Sequence, residues 1–351
     1  MWKFVLNRLG YGLLVLFGVV TLVFVLFNIL PGDPARMMLG QRADKESINI
    51  INRDLGLDKP LLTQYLNYLN DLSPLSFHRN DDYKKYTSYK TIAKVGSTTI
   101  ILKKPYLRRS YQSKRPVSDI LKEAFPNTIY LALVSIAFAF VVGVSLGALA
   151  AVFKNTWIDK AVLAISTVGM SLPSFFAAII IAWLFAFVLA DWTGLSMFGS
   201  LYSVDDMGGG EYINLKNIIL PALTLGIRPL AVISELTKST MIDVLQQDYI
   251  RTARAKGLNE MQILWKHVLK NALNPIVTAV SGWFASLLAG AVFVEYIFDW
   301  KGVGVVIVDG LEKYDFPVVM GSLLVICVML VLINIITDII YGILDPRVRL
   351  K

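Results

Sequence analysis

Residues 248–277 read DYIRTARAKGLNEMQILWKHVLKNALNPIV, a polar and basic segment that separates two apolar runs. Its first part, residues 249–256, has the composition of a helix, and Gly257 follows where a helix commonly ends. Asn259, with Gln262 three residues later, is typical of a capping box that opens a second helix. The segment therefore predicts two helices joined by a glycine turn at the mouth of a membrane domain, and Pro275 is predicted to close the second helix.

The composition of the chain is that of a membrane protein, because 55% of its residues are hydrophobic, 17% are charged and the mean hydropathy is +0.58. The net charge of +8 fits cytoplasmic loops and lipid headgroups, so no nucleic acid partner is expected. Cys327 is the single cysteine, and His78 and His267 lie far apart in the sequence. Neither a disulfide framework nor a metal or catalytic site is therefore expected.

The first apolar run covers Leu9 to Leu30, about the twenty residues that cross a bilayer. Residues 1–30 are therefore predicted to form an N-terminal segment and the first transmembrane helix, which the sequence LPGDP at residues 30–34 ends. The polar region 31–125 follows, and it is predicted to be extracytoplasmic because long loops are translocated largely regardless of charge.

Residues 126–346 contain five further apolar runs, so the sequence predicts an all-α membrane protein with six transmembrane helices. These five spans are expected near residues 127–153, 161–190, 218–236, 276–298 and 318–343. The basic loop 237–275 and the tail 347–351 are predicted to be cytoplasmic, as is the N-terminus.

The third predicted span contains the sequence SLPSFF, residues 171–176. Pro173 removes a backbone donor and clashes with the preceding turn, so a kink near the middle of the membrane is expected. This kink has two interpretations, a packing feature or a lining of the translocation path by Ser171, Pro173 and Ser174.

The fourth predicted span carries Arg228 near its middle, where an arginine is costly and usually faces a cavity or a partner. Glu235 lies about two helical turns further on, and so on a similar face. Arg228 is therefore interpreted either as a paired structural charge or as a residue that lines the path.

The segment 248–277 resembles the cytoplasmic coupling loop, or EAA loop, of ABC-importer permeases, whose signature is Glu-Ala-Ala, three residues, Gly, nine residues and Ile-x-Leu-Pro. Ala253, Gly257 and Leu269 match this signature. The departures from it are similar to the variant found in dipeptide, oligopeptide and nickel permeases, and they fall at Arg251, Thr252, His267 and Lys270.

Other stretches resemble the same family in the expected order along the chain. They are the amino terminus from Asn7, the segment 56–69, the segment 115–128, residues 294–304 with Lys301 in place of a proline, and the carboxyl terminus 338–349. The resemblance implies the type I ABC-importer permease fold in a bacterial plasma membrane, with a long extracytoplasmic loop after the first helix.

Residues 78–114 depart from the family pattern and are interpreted as a basic insertion. The sequence at 98–101, Thr-Thr-Ile-Ile, is β-prone and predicts a short strand. The insertion has two interpretations, a solvated variable loop or a docking surface for an extracytoplasmic binding protein.

The resemblance also implies the partners of the chain: a second homologous permease, two ABC ATPase subunits, a substrate-binding protein, membrane lipid and a peptide substrate. No GxxxxGK[ST] phosphate loop occurs, so the chain is expected to be non-catalytic and to bind no cofactor, with ATP and Mg on its partners. The residues expected to couple it to the ATPases are Arg251, Ala253, Arg254, Lys256, Gly257 and Glu260.

Two alternatives remain open from the sequence. The same scaffold serves nickel importers, because the binding protein largely selects the cargo. An ion-driven secondary transporter would need carboxylates inside the membrane, whereas Glu235 and Asp338 lie near predicted cytoplasmic ends.

Overall fold

Helices dominate the fold, as the apolar runs predict. The computed structural model describes residues 2–29, 48–49, 52–53, 56–79, 83, 86, 88–96, 98–204 and 210–344. The predicted helix stop at residues 30–34 and the basic tail 347–351 lie outside the described residues.

The elements fall in a simple order along the chain. The helices are α1 (Trp2–Ile29), α2 (Leu61–Leu72), α3 (Val117–Val152), α4 (Trp157–Ser171), α5 (Ser174–Trp183), α6 (Ala190–Thr193), α7 (Ile219–Leu245), α8 (Asp248–Ala255), α9 (Glu260–Ile263), α10 (Lys270–Gly290), α11 (Val292–Ile297), α12 (Val303–Glu312) and α13 (Phe316–Leu344). The strands are β1 (Leu75–Arg79), β2 (Tyr89–Val95), β3 (Thr98–Lys103), β4 (Tyr202–Val204) and β5 (Glu211–Ile213).

The chain divides into two compact units. The core unit comprises Met1–Gly10, Phe125–Val305 and Val328–Lys351, and it contains α4 to α11. The loop unit comprises Tyr11–Ala124 and Val306–Cys327, and it contains α2 and the strands β1 to β3.

Among the described residues, four helical segments are long and apolar enough to cross a membrane. They are Asn7–Phe27, Val117–Val152, Leu215–Leu245 and Phe316–Thr337. The bent pair Trp157–Ser171 and Ser174–Val188 raises the number to five if it forms one span. Helix α10, where the fifth span was predicted, is not among these segments, so the structure supports a helical membrane protein with four or five such spans.

The third predicted span is broken rather than kinked. Helices α4 and α5 meet at an angle of 112°. Leu172 adopts an extended backbone, with φ −75° and ψ 127°, and Pro173 forms the N-cap of α5. Proline disfavours the helical conformation in the residue that precedes it. The helix therefore stops at Ser171, and a new helix starts in a different direction. The prediction of a single kinked helix was wrong.

The fourth predicted span is longer than its apolar run. Helix α7 continues to Leu245, nine residues beyond the predicted end at Leu236. Its extension contains hydroxyl residues that bond back to the helix: Thr237 donates to the carbonyl of Ile233 over 2.6 Å, and Thr240 donates to that of Leu236 over 2.7 Å. Apolar character therefore marked the membrane part of this helix but not its end.

Helices α3 and α7 approach each other closely through glycines. A Cβ atom on Gly143 would lie 2.9 Å from the carbonyl oxygen of Leu230, and one on Gly147 would overlap the carbonyl oxygen of Ser234. From the opposite side, a Cβ on Gly226 would lie 2.7 Å from the ring of Phe138. Small residues allow such backbone contact between membrane helices. The van der Waals packing that results stabilises the pair, because no hydrophobic driving force brings helices together in lipid.

The loop unit contains a three-stranded antiparallel sheet in the order β1-β3-β2. The central strand β3 covers the predicted strand at 98–101, pairs with β1 from Leu75 to Arg79 and pairs with β2 from Tyr89 to Val95. The predicted strand is confirmed, but the description of the fold as all-α holds only for the membrane helices. A sheet of three strands buries one face, which a single short strand cannot do.

The contact between α3 and α7 yields a stability prediction. Gly147→Ala should lower the thermal midpoint of the detergent-purified protein by several degrees, because overpacking costs roughly 1–3 kcal/mol. Gly282→Ala is the matched control, since Gly282 lies in α10 with nothing within 4 Å of its Cβ position. There, alanine should leave the midpoint unchanged or raise it, because alanine favours helix. Equal midpoints for both variants would contradict the close packing.

Candidate functional site

Helix α8 ends in the glycine turn that the sequence predicts. Gly257 has φ +79°, in the left-handed region that side chains rarely adopt. The amide of Gly257 donates to the carbonyl of Arg254 over 2.9 Å, and the amide of Leu258 donates to that of Ala253 over 3.3 Å. These two bonds form a Schellman motif, which satisfies the carbonyls that a helix end leaves free.

Asn259, two residues after Gly257, caps helix α9 with the predicted capping box. The Asn259 side chain accepts from the amide of Gln262 over 2.8 Å, and the Gln262 side chain accepts from the amide of Asn259 over 3.4 Å. Two backbone donors at the start of the helix are thereby satisfied. The glycine turn and the capping box are both confirmed.

The prediction that Pro275 closes the second helix was wrong. A π-helical turn, Leu264–Leu269, follows α9, and α10 continues from Lys270 through Pro275 to Gly290. A proline removes one backbone bond and strains one turn, but neighbouring helix can continue on both sides of it. We call residues 248–269 the helical hairpin.

The hairpin is anchored by a small apolar cluster in the core unit. Ile250, Ile263 and Val268 are fully buried, and they pack with Met241 of α7 and Ala151 of α3. Ala253 is also buried in this cluster, although the sequence suggested it as a coupling residue. It therefore fixes the hairpin to the ends of two membrane helices and offers no surface to a partner.

An ion pair bridges the two arms of the turn. Arg254 donates from Nε to one carboxylate oxygen of Glu260 over 2.8 Å and from Nη2 to the other over 3.2 Å. The hydrogen bond from Arg254 lowers the pKa of Glu260, so the carboxylate stays ionised to a lower pH than an ordinary glutamate does. The small stabilisation is present above the ordinary pKa of a glutamate and is lost as the pH falls through the lowered value. Both side chains are exposed, so salt weakens the pair.

The outer face of the hairpin combines basic and apolar side chains. Arg251, Lys256 and Gly257 are exposed, as predicted for residues that meet a partner. Met261 is 64% exposed and Trp265 is 65% exposed. These two residues were not predicted from the sequence, although two large apolar side chains four residues apart in a polar segment are a visible signal.

The residues suggested for the translocation path do not form a closed site. Ser171 and Pro173 are exposed, Ser174 is half-buried, and the Ser171 hydroxyl donates to the carbonyl of Thr167 over 2.8 Å. They lie where α4 turns into α5, and the end of α4 contacts α7, where a Cβ on Gly169 would lie 3.0 Å from the Ile227 side chain.

Arg228 and Glu235 are both exposed on α7, and they make no ion pair within the part of the chain that the structure describes. Of the two interpretations of Arg228, a structural pair with Glu235 is therefore not formed within the described chain, and the lining of the path stays a prediction. Seven residues bring two positions to a similar face of a helix but separate them by about 10 Å along its axis.

The left-handed conformation of Gly257 yields a prediction for the isolated chain. Gly257→Val should strain the turn by about 1–2 kcal/mol, whereas Gly257→Asn should be tolerated because asparagine adopts this conformation more readily. No atom lies within 4 Å of the Cβ position, so space does not distinguish the two variants. Hydrogen exchange of peptides covering residues 248–263 should be faster in the valine variant alone. Equal exchange in both variants would exclude backbone strain as the reason for glycine.

The family described as "Binding-protein-dependent transport system inner membrane component" matches residues 143–350, and the family of its N-terminal region matches residues 1–132.

Two relatives match over almost the whole chain. The di/tripeptide transport system permease protein DppB of Pseudomonas aeruginosa (strain UCBPP-PA14) is 34% identical over 99% of each chain. The glutathione transport system permease protein GsiC of Escherichia coli (strain K12) is 32% identical over all of each chain.

A solved structure of the methionine ABC transporter MetNI in an inward-facing conformation matches 64% of this chain and 96% of its own, with 19% identity and a TM-score of 0.53, which shows a shared fold. Together with the two family matches and the two relatives, this places the chain in the family of inner membrane components of binding-protein-dependent transport systems.

Proposed function

We propose that this chain is a permease subunit of an ATP-driven importer for di- or oligopeptides. The two relatives are named as permeases for di/tripeptide and glutathione transport, and almost the whole length of this chain aligns with each of them. Peptides are therefore the substrate class that these relatives support.

The observation that carries the proposal is the anchored helical hairpin. Its inner side packs on the ends of α3 and α7, and its outer side exposes Met261 and Trp265 beside Arg251 and Lys256. A short, capped hairpin with an apolar and basic outer face fits a groove on an ATPase subunit. Because it is fixed to membrane helices, a movement of that subunit is passed to the bundle.

Partner proteins supply the other subunits of the proposed transport complex. We assign ATP and Mg to two ATPase subunits, because the sequence has no phosphate loop of its own. A second homologous permease completes the path, and a binding protein delivers the peptide from outside. Alternating access then follows from closure and opening of the ATPase pair, with Ser171, Pro173, Ser174 and Arg228 as the proposed path residues of this subunit.

The proposed orientation places both termini and the hairpin in the cytoplasm and residues 31–125 outside the membrane. The basic short loops and the acidic residues of the segment 191–217 support this orientation.

Nickel import is the alternative cargo, because a permease that only passes an ion needs no ligand cluster. An ion-driven secondary transporter is a second alternative. It receives less support, because the family match is to binding-protein-dependent systems.

The proposed ATPase contact predicts the effect of removing the two exposed apolar side chains. Met261→Ser/Trp265→Ser should lower the amount of co-purified ATPase by about tenfold or more, because burying one large apolar side chain contributes roughly 1.5–3 kcal/mol. Trp192→Ser is the control, since Trp192 is 91% exposed and lies away from the hairpin in the sequence. Normal ATPase retention in the double variant would remove the hairpin from the interface.

The proposed orientation predicts the labelling of introduced cysteines. In a Cys327→Ser background, Lys104→Cys should react with an impermeant thiol reagent added to intact cells, and Lys256→Cys should react only after permeabilisation. Both lysines are exposed, so access differs only by the side of the membrane. Reversed labelling would overturn the orientation and the coupling role together.

A further inference from the structure

Most of the net positive charge of this protein arises from one stretch of the sequence. Residues 48–114 contain twelve Lys and Arg and five Asp, a net charge of +7, whereas the whole chain carries +8. Cytoplasmic loops do not explain this charge, because the proposed topology places the stretch outside the membrane. The loop unit therefore has a charge that the proposed function leaves unexplained.

The loop unit contains a cleft of about 870 Å³, which is within the size range of sites for small molecules. Side chains from the segment before α2, from α2, from the end of β1 and from the turn after β3 line it. Six of them are cationic: Arg53, Lys59, Arg79, Arg108, Arg109 and Lys114. The amides of Gln64 and Asn67 on α2 add polar groups to the same wall.

The described part of this lining contains one carboxylate, Asp71, and it is already engaged. Asp71 is 4% exposed, accepts a hydrogen bond from the hydroxyl of Tyr86 over 2.8 Å and pairs with Arg108 over 3.2 Å. Asp71 therefore holds Arg108 in place and forms no ion pair with the other cations of the described lining. Within the described residues, none of those five side chains forms a salt bridge.

The turn that carries three of these cations is rigidly built. Arg108 has φ +65° and Lys114 has φ +59°, a conformation that costs energy in residues other than glycine. The amide of Ser110 donates to the carbonyl of Arg115 over 2.9 Å, which closes the turn. The backbone is therefore held in a strained conformation that projects basic side chains.

Asp315 holds the same turn from a distant part of the sequence. Its carboxylate accepts from the hydroxyl of Ser110, from the amide of Tyr111 over 2.9 Å and from the amide of Gln112 over 3.3 Å. Asp315 is 4% exposed, so these bonds are sheltered from water. A cationic turn fixed in advance loses little entropy when it meets a ligand.

We propose that this cleft is a binding site for a small anion that carries two or more carboxylate or phosphate groups. Arginine side chains bind both groups through paired N–H donors, and several converging cations favour a ligand with several charges over a single anion. The volume of the cleft exceeds that of a bare phosphate and fits an acidic peptide or a polyphosphate.

Calorimetric titration of the full-length protein, purified in an uncharged detergent at low salt, tests this site. The probes are tri-glutamate and inorganic tripolyphosphate, with tri-alanine as the neutral peptide. At least one of the two anions should bind, its affinity should fall with added salt, and tri-alanine should not bind. Binding of tri-glutamate alone or of tripolyphosphate alone would identify carboxylate or phosphate as the natural group. The titration does not depend on the proposed transport function or on the orientation of the chain.

The cleft variant Arg79→Gln/Arg109→Gln/Lys114→Gln should raise the Kd at least tenfold. The charge-matched control Lys90→Gln/Lys94→Gln/Lys104→Gln changes exposed lysines outside the cleft and should change the Kd less than twofold. If the cleft variant aggregates, Arg53→Gln/Lys59→Gln decides the question, with an expected rise of at least threefold. The proposal is overturned if neither anion binds, if the folded cleft variants bind like the wild type, or if the control weakens binding as much.

Discussion

The backbone contact between α3 and α7 is the constraint on which the core of this permease depends. Gly143 and Gly147 bring the main chain of α3 against the carbonyls of α7, with no room for a side chain between them. The helical hairpin then packs on the ends of these same two helices, through Ala151 and Met241. In the proposed function, a force on the hairpin would therefore act directly on both helices of this closely packed pair.

Local signals in the sequence predicted the hairpin well, because its geometry depends on neighbouring residues. Gly257 ends one helix and Asn259 opens the next through bonds that span three to five residues. Prolines were predicted poorly for the opposite reason. Pro173 lies where one helix ends and Pro275 lies inside another, so a proline alone does not decide whether a helix stops.

Features that depend on distant partners were also beyond the reach of sequence reasoning. Only the strand at residues 98–101 was predicted from the sequence. The sheet also needs β2 and β1, and most of β1 lies before the predicted insertion. The cleft in the loop unit was not predicted, because its basic turn is held by Asp315, about 200 residues further along the chain. The charge excess was visible in the sequence, and only the fold shows that part of it converges on one cleft.

The central claim is that this chain transports peptides as one part of an ATP-driven complex. Uptake of a labelled dipeptide into proteoliposomes tests it most directly, with the chain reconstituted alone or with its second permease, ATPases and binding protein. Uptake should require all of these proteins together, with ATP on the side of the membrane where the ATPases lie. A proton or sodium gradient should not replace ATP. Uptake by the chain alone under an ion gradient would contradict this account and favour a secondary transporter.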